Sequence, residues 1–389
     1  MNWTAEDRRF LEEAFAVAEA GRGATSPNPV VGALLVKDGR VVGRGYHARC
    51  GAPHAERMAL DEAGDESRGA TLYVTLEPCS VHGRTPPCTD AIIDAGIVRV
   101  VAPCRDPNPH VDGGGFEILR LAGIEIDCGL LEERAERENA PYLTFQRKGR
   151  PYVRLKLACS LDGRIAGPES GARRISSPES QEEVHALRSR VDGVLVGVGT
   201  ALADDPMLTD RRAVAGGRQP RRYVLDTEAR LRPSCALVRT AGEIETYVVC
   251  AEDAEPHLAA ALEERGVRII QTPRGPGGVD LTEALRKIAG TSTLDLLCEG
   301  GAGVATSLLS AGLVDRVMLY IAPRVLGESG TPAFSALPEG ALMDGSAFQN
   351  ATWTTSGRDM RFEADVRLDA PGEAGADQGN REATGCSRD

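Results

Sequence analysis

The sequence predicts an α/β protein with two domains. Apolar runs with the length of strands alternate with runs of helical periodicity in both halves of the chain, a pattern typical of sheets covered by helices. The chain has 389 residues, of which 42% are hydrophobic and 26% charged. It is therefore long enough for two hydrophobic cores and has the composition of a soluble globular protein.

The first half begins with a predicted helix and a predicted hairpin. Residues 6–21 carry apolar side chains at helical spacing and end at Gly21, which favours a helix stop there. Two β-rich runs joined by Lys37, Asp38 and Gly39 predict a hairpin. The further predicted elements are a helix at 54–63, a strand at 70–79, a helix at 89–96, a strand at 98–103, a helix at 115–123 and a strand at 124–129.

A charged segment with glycine and proline, residues 146–151, separates this series from a second α/β series. The predicted strands there are 152–160, 192–199, 221–226, 246–250, 267–270, 294–298 and 316–323, and the predicted helices are 178–189 and 304–312. The strand at 192–199 is expected to run into an acidic loop that ends at Pro206. We therefore expect domains at 1–146 and 151–368.

Charge and hydropathy exclude several classes of partner. The 45 Lys and Arg residues are outnumbered by 57 Asp and Glu, which gives a net charge of -12 and argues against nucleic acid as a partner. No apolar run reaches the roughly 18 residues of a membrane span, and the N-terminus does not resemble a signal peptide. Residues 369–389 lack Val, Ile, Leu, Met and aromatic residues, which predicts a disordered tail. We expect a cytoplasmic protein without a membrane partner.

His54, Cys79 and Cys88 form a candidate zinc site. One imidazole and two thiolates leave a fourth position open, as in catalytic zinc sites, where the metal lowers the pKa of a water molecule. Glu56 follows His54 by two residues and could move protons without binding the metal, as in zinc deaminases. A chance grouping among ten cysteines and a structural zinc with four protein ligands are the alternatives. The order of the HAE, EPC and PC motifs favours the catalytic site.

Two features of the second half suggest a ligand site. Lys156 alternates with Leu155 and Leu157 and would lie on the opposite face of its strand, although a single lysine in a strand is usually solvated. Residues 299–310 predict a strand end, a glycine-rich turn and a helix, an arrangement whose backbone N–H groups attract phosphate. The turn matches the dinucleotide-binding fingerprint only in part. A tight turn that only serves packing explains the glycines equally well.

Several of these segments together resemble one family. They are SPNPVVGA (26–33), YH (46–47), TLEPCSVHGRTPPC (75–88), LKLACSLDGRIA (155–166), HALRS (185–189), GVGTALADDPMLT (197–209) and EGGAGVATSLL (299–309). In these motifs, over roughly residues 5–365, the chain is similar to the bifunctional deaminase–reductase family of riboflavin biosynthesis. The resemblance implies an N-terminal cytidine-deaminase-like three-layer domain and a C-terminal dihydrofolate-reductase-like domain.

The resemblance also implies functions for particular residues. In the first domain it makes His54, Cys79 and Cys88 the zinc ligands, Glu56 the proton shuttle, and Asn28, His47 and Arg84 contacts to the substrate. In the second domain it implies substrate contacts at Lys156, Arg188, Leu208, Arg211 and Glu299. The implied NADPH contacts are Ala158, Thr200, Asp204, Gly301, Ala302, Gly303, Val304, Ala305, Thr306 and Ser307. We also expect Arg174 to contact NADPH in place of the Trp that many members have at this position.

The implied activity has two steps and two cofactors. The N-terminal half would use Zn²⁺ to hydrolyse the ring amino group of 2,5-diamino-6-ribosylamino-4(3H)-pyrimidinone 5′-phosphate. The C-terminal half would use NADPH to reduce the ribosyl chain, which gives 5-amino-6-(5-phosphoribitylamino)uracil. The partner is thus a small pyrimidine ribotide, and we expect a homo-oligomer, either a dimer or a tetramer.

Three positions depart from the family pattern and leave alternatives open. Val81 stands where the family usually has His, and Ala172 and Arg174 stand where many members have Ser and Trp. An enzyme acting on a variant pyrimidine ribotide, with an altered or impaired reductase half, fits the same motifs. A nucleoside or tRNA deaminase would lack the SPNP and GRTPPC segments. A non-catalytic zinc module would have no use for Glu56.

Overall fold

The computed structural model of the chain describes residues 3–81, 86–167, 175–212, 218–335, 337, 340, 342 and 345–368. Among these residues, no helix combines the length and the apolar character that crossing a membrane requires. The predicted tail at 369–389 lies outside the described residues.

Up to residue 150, the described part of the chain forms five strands and six α-helices in the predicted alternation. In chain order they are α1 (Ala5–Ala18), β1 (Gly32–Lys37), β2 (Arg40–Tyr46), α2 (Ala55–Ala63), β3 (Thr71–Val74), α3 (Cys88–Asp94), β4 (Arg99–Ala102), α4 (Gly114–Leu121), β5 (Glu125–Cys128), α5 (Glu132–Glu138) and α6 (Ala140–Lys148). The predicted β1–β2 hairpin is confirmed. Its turn residues Asp38 and Gly39 both have positive φ, 50° and 73°, as tight hairpin turns require.

One sheet with the order β2-β1-β3-β4-β5 separates two cores in this region. Successive side chains of a strand point to opposite faces. Leu34 and Val36 of β1 therefore pack in the core that includes Phe10 and Leu11 of α1. Ala33 and Leu35 pack in the other core, with α2, α3 and α4. The result is a three-layer arrangement with α2 and α3 on the same side of the sheet.

The remaining chain begins with a long strand and continues as a second α/β series. The elements are β6 (Tyr152–Ser160), β7 (Arg164–Ala166), α7 (Pro178–Arg188), β8 (Gly193–Gly197), α8 (Val198–Asp204), β9 (Arg221–Leu225), α9 (Ala236–Arg239), β10 (Thr246–Ala251), α10 (Pro256–Glu263), β11 (Arg268–Thr272), β12 (Arg274–Gly275), β13 (Gly278–Val279), α11 (Leu281–Ala289), β14 (Asp295–Cys298), α12 (Ala302–Ser310), β15 (Arg316–Ala322), β16 (Thr331–Pro332), β17 (Phe348–Ser356) and β18 (Asp359–Val366).

Contacts divide the chain into two compact units. The first contains the chain up to Val153 together with Gln181–Gly301, and the second contains Arg154–Ser180 and the chain from Ala302 onwards. In the first unit, β11-β10-β9-β8-β14 are joined by parallel ladders and their apolar side chains fill a further core. In the second unit, β6 and β15 are parallel, whereas β15-β18-β17 are antiparallel.

The structure differs from the sequence prediction in several elements. The segment after β8, expected as an acidic loop, begins with helix α8, whose Ala201 is fully buried. Residues 146–148, expected in a linker, complete α6, which ends at Gly149 in the left-handed conformation. Helices α9, α10 and α11 and the β17–β18 hairpin had no predicted counterpart. Helix α9 has only four residues and the sequence of β17 is mostly polar, so neither carries a clear apolar pattern. Helices α10 and α11 were missed although both carry apolar residues at helical spacing.

Candidate active site

Helix α2 brings the predicted proton shuttle beside the predicted metal ligand. His54 is the N-cap residue, and Glu56 lies in the first turn with only 4% of its surface exposed. Gly43 and Gly45 of β2 let the helix approach, because an added Cβ would lie 2.2 Å from the Ala59 carbonyl oxygen and 2.0 Å from that of Ala55. The sequence analysis missed these two glycines, although their alternation within one strand was a signal of close backbone approach.

Three potential ligand groups converge at this helix end. Atoms of His54, Glu56 and Cys88 all lie within 4.8 Å of one another, and His54 Nδ1 is 3.3 Å from Cys88 Sγ. The nitrogen and sulfur ligands of a tetrahedral zinc ion would lie about 3.5 Å apart. The residues present therefore fit a zinc ion.

Cys79 lies near this group but outside it. The Cys79 carbonyl accepts hydrogen bonds from the N–H groups of Cys88 and Thr89, at 2.9 and 3.2 Å, at the start of α3. These bonds bring the two cysteines together despite the eight residues between them. The Cys79 thiol is 3.5 Å from the carbonyl oxygen of Val81. Arg84 falls outside the described residues.

The electrostatics of the cluster also fit a cation. Burial raises the pKa of Glu56 and the pKa of the thiols of Cys79 and Cys88 above their ordinary values. Buried acidic groups are costly to ionise unless a positive charge compensates them. A divalent cation at this point would lower all three pKa values and favour the thiolates that zinc binds.

Asn28 and His47, predicted as substrate contacts, lie against each other beside the cluster. Asn28 Nδ2 is 3.0 Å from His47 Nε2, and His47 Nδ1 is 3.1 Å from the Pro53 carbonyl oxygen. The rings of His47 and His54 meet edge to face with their centroids 5.4 Å apart. Burial holds the pKa of His47 below its ordinary value, which favours the neutral ring.

Glu77 is a buried carboxylate that the sequence analysis did not single out. It accepts the backbone N–H groups of Asp106 and Gly113 on Oε2 at 3.0 Å each, and that of Phe116 on Oε1 at 3.1 Å. These bonds hold the segment before α4 next to Pro78 and Cys79. Its position in the EPC motif was the available signal.

In the first unit, Arg188 and Glu299 form a two-pronged ion pair. Arg188 Nε and Nη2 donate to the two Glu299 oxygens at 2.7 and 3.0 Å, and each side chain is 12% exposed. Burial alone would lower the pKa of Arg188, but the neighbouring Glu299 carboxylate raises it above its ordinary value. Arg188 also donates to the Thr209 carbonyl at 3.0 Å. It thereby fixes the segment of Leu208, which is buried at a φ of 53°.

The other predicted contacts of this unit lie on and around α8 and at Gly301. The Thr200 hydroxyl of α8 accepts the Gly301 N–H at 3.2 Å, which brings two predicted NADPH contacts together. Asp204 is exposed at the end of α8. Arg211 is exposed, and its backbone N–H is 3.4 Å from His185 Nδ1.

The second unit holds the remaining predicted reductase residues. Lys156 and Ala158 are half-buried on β6, and Lys156 Nζ lies 5.6 Å from the centroid of the Tyr320 ring. Leu155 and Leu157 are buried, which confirms the predicted alternation along this strand. Residues 302–307 form the start of α12, so the predicted turn and helix are also confirmed. Ala172 and Arg174 fall outside the described residues.

Comparison with known proteins identifies both regions. Residues 4–104 match the cytidine and deoxycytidylate deaminase zinc-binding region, and residues 151–362 match the RibD C-terminal domain. The chain is 44% identical to the riboflavin biosynthesis protein RibD of Aquifex aeolicus, over 83% of this chain and 88% of that protein. It is 41% identical to RibD of Escherichia coli, over 83% and 89%.

Solved structures show the same likeness. RibD of Acinetobacter baumannii aligns with a TM-score of 0.81 at 33% identity, covering 93% of this chain and 99% of that one. A diaminohydroxyphosphoribosylaminopyrimidine deaminase/5-amino-6-(5-phosphoribosylamino)uracil reductase from Thermotoga maritima aligns with a TM-score of 0.79 at 34% identity, with the same coverage. The expected cytidine-deaminase-like and dihydrofolate-reductase-like folds are therefore confirmed. So are the two cofactors, zinc for the deaminase and NADPH for the reductase.

The chain therefore belongs to the RibD family and is a bifunctional deaminase and reductase of riboflavin biosynthesis.

Proposed function

We propose that residues 1–146 deaminate 2,5-diamino-6-ribosylamino-4(3H)-pyrimidinone 5′-phosphate and that residues 151–368 then reduce its ribosyl chain. The observation that carries the first step is the convergence of half-buried His54 with buried Glu56 and Cys88 within 4.8 Å. The activities named for the Thermotoga maritima relative support the same order of steps, because its reductase substrate is already a uracil.

In the deaminase half, His54, Cys79 and Cys88 would hold the zinc ion. The zinc ion, when bound, supplies Lewis-acid activation of water. Glu56 would take up a proton from the attacking water and deliver protons to the ring nitrogen and the departing amine. Its burial suits this function, because a buried carboxyl with a raised pKa can exist in both protonation states during turnover.

Substrate recognition in this half would fall to Asn28, His47 and Arg84. An amide offers one donor group and one acceptor, which suits the edge of a pyrimidinone ring. His47 keeps Asn28 in place through the 3.0 Å contact between their side chains. An arginine at position 84 would hold the phosphate of the ribotide.

In the reductase half, the substrate would contact Lys156, Arg188, Leu208, Arg211 and Glu299. NADPH would contact Ala158, Arg174, Thr200, Asp204 and residues 301–307. The cofactor supplies the hydride, so these residues have to orient two anionic molecules. Arg188 is already oriented by Glu299 and by the Thr209 carbonyl, which lowers the entropy lost on binding.

Two further proposals concern the setting of the enzyme. A reducing compartment such as the cytoplasm fits the described cysteines, none of which forms a disulfide bond. A homo-oligomer fits the strand β17, which lies at the edge of its sheet and has mostly exposed side chains, including Trp353 at 58%, because an exposed edge strand can pair with another chain. Light scattering of the purified protein at several concentrations would measure the mass of the assembly.

The experiment that tests this function is mass spectrometry of the products. The full-length protein is incubated with the diaminopyrimidinone ribotide with and without NADPH. We expect exchange of an amino group for oxygen in both reactions and a gain of two hydrogen atoms only with NADPH. Absence of the first change would refute the deaminase substrate, and absence of the second would refute the reductase step.

A matched pair of variants tests the proton shuttle. Glu56→Gln should lower deamination by at least about a hundredfold, while the zinc content and the reduction of a previously deaminated ribotide stay unchanged. Glu62→Gln makes the same change on the exposed face of α2 and should leave deamination intact. Deamination by Glu56→Gln within about twofold of the parent enzyme would contradict the assignment.

A further inference from the structure

We propose that Asp192, in the reductase half of the sequence, is a positioning residue for deamination because it anchors the loop that carries Asn28. The inference rests on the proposed function of Asn28 as a contact to the pyrimidine. Asp192 and the loop both belong to the first compact unit. Deamination would then depend on the reductase half, although no deaminase chemistry takes place there.

The primary anchor is a hydrogen bond between the two halves. The Ser26 hydroxyl donates to Asp192 Oδ2 at 2.8 Å, and Asp192 is only 4% exposed. The same oxygen accepts the backbone N–H groups of Leu294 and Asp295 at 2.9 and 3.0 Å. The backbone at the start of β14 thus holds the Asp192 carboxylate in place. The carboxylate is therefore a fixed hydrogen-bond acceptor for Ser26 of the loop.

A second anchor acts on the same loop. Arg218 donates from Nη2 to Asp192 Oδ1 at 2.8 Å and from Nη1 to the Gly23 carbonyl oxygen at 2.5 Å. Gly23 has a φ of 83°, and a Cβ added there would lie 3.0 Å from the carbonyl oxygen of Ser189. The loop therefore rests directly against the backbone that follows α7.

The contact between the halves is packed as well as hydrogen-bonded. Leu294, whose N–H binds Asp192, is 3% exposed and forms one apolar cluster with Leu76, Tyr142 and Leu143 of the deaminase half. A close-packed contact has little freedom to shift. Asp192 therefore holds a defined position relative to the loop.

A short chain of contacts leads from these anchors to Asn28. The Thr25 carbonyl accepts the Asn28 N–H at 2.9 Å, which closes a turn. Beyond the turn, Asn139 Oδ1 accepts the Val30 N–H at 2.8 Å. Asn28 thus lies between an anchor from the reductase half and one from the deaminase half. Loss of the anchor from the reductase half should weaken substrate binding. Glu56 lies on α2 and should keep its position.

The test measures deamination kinetics of the full-length enzyme without NADPH. Ser26→Ala and Asp192→Asn should each raise KM about tenfold or more, as expected when a hydrogen bond to a charged group is lost, and should leave kcat within about twofold. Ser26→Ala should also leave the reduction of a previously deaminated ribotide unchanged. A merely structural bond would lower both activities and the melting temperature together, and that result would overturn the inference.

Matched controls and a double variant sharpen the test. Glu245→Gln removes a charge in the reductase half at an ion pair with Arg221, and Ser67→Ala removes a buried hydroxyl that donates to the Gly64 carbonyl. Both should leave the KM for deamination unchanged. The double variant Ser26→Ala/Asp192→Asn should raise KM by less than the product of the two single effects, because both changes disrupt the same bond between Ser26 and Asp192. Independent effects that multiply would overturn the inference.

Asn28→Ala separates this inference from the proposed function. An unchanged KM in Asn28→Ala would refute Asn28 as a substrate contact and the inference with it. A raised KM in Asn28→Ala together with unchanged KM values in Ser26→Ala and Asp192→Asn would refute only the positioning by Asp192. If Asp192→Asn fails to fold, Ser26→Ala decides, because it leaves the other bonds of the carboxylate intact.

Discussion

Substitution of Glu77 by glutamine tests whether the buried carboxylate holds the segment next to the metal ligands. In the parent chain its two oxygens accept three backbone N–H groups, from Asp106, Gly113 and Phe116. Glutamine keeps one oxygen and replaces the other by an NH₂ group, which is a donor. One or two of the three N–H groups would then face another donor in a buried site.

The expected magnitude follows from these contacts. Each bond to a charged group contributes about 1.5–3 kcal/mol, and each N–H left buried without an acceptor costs about 1–3 kcal/mol. If glutamine orients to keep two bonds, the loss is about 3 kcal/mol in the free energy of unfolding. For a domain of 150–250 residues, this corresponds to a melting temperature lower by about 6–12 °C.

Differential scanning calorimetry would measure the shift, and zinc analysis after dialysis would show whether the ion is lost more easily. Glu117→Gln on the exposed face of α4 is the matched control and should shift the transition by less than about 2 °C. A shift of Glu77→Gln no larger than that of the control would refute the reasoning, because the three bonds would then contribute nothing measurable.

Three further predictions follow from other contacts. Gly45→Ala would place a Cβ 2.0 Å from the Ala55 carbonyl oxygen, which should displace α2 and lower the rate of deamination at least about tenfold. In the control Gly199→Ala the Cβ meets nothing within 4 Å, and the rate of deamination should not change. Arg188→Lys loses the fork that binds Glu299 and should raise the KM for reduction about tenfold or more while deamination persists. Burial and Arg188 hold the pKa of His185 below its ordinary value. Between that lowered pKa and a pH of about 6.5, the unfolded chain therefore binds more protons than the folded chain. Stability should therefore rise with pH across this window, and melting temperatures from pH 5 to 8 should show a flatter profile for His185→Gln.

Much of the fold could be predicted because strongly patterned segments form the structure that their pattern indicates. The β1–β2 hairpin has its turn at Asp38 and Gly39, and α2 begins directly after His54. The alternation around Lys156 likewise appears as a half-buried lysine between two buried leucines. Helix α9 was not predicted because it has only four residues. Helix α11 was missed although Asp280 and Gly290 bound a segment with apolar residues at helical spacing.

The candidate site was predictable to the extent that its chemistry is written in short motifs. His54, Glu56 and Cys88 meet because helix α2 and the start of α3 pack on the same face of one sheet, whereas the third predicted ligand, Cys79, lies outside this group. The function of Glu77 as a backbone acceptor was not predictable, since its three partners lie about 30–40 residues further along the chain. Spacing along the sequence carries no information about such distant donors.

The sequence by itself determined the class of chemistry, because imidazole, thiol and carboxyl groups in a fixed order define a metal site whatever surrounds them. The tertiary structure decided which groups hold that site in place. Gly45 lets α2 reach β2, and Asp192 meets Ser26, which lies 166 positions earlier in the chain. Such contacts depend on how sheets and helices pack, and packing is a property of the whole chain that no local pattern records.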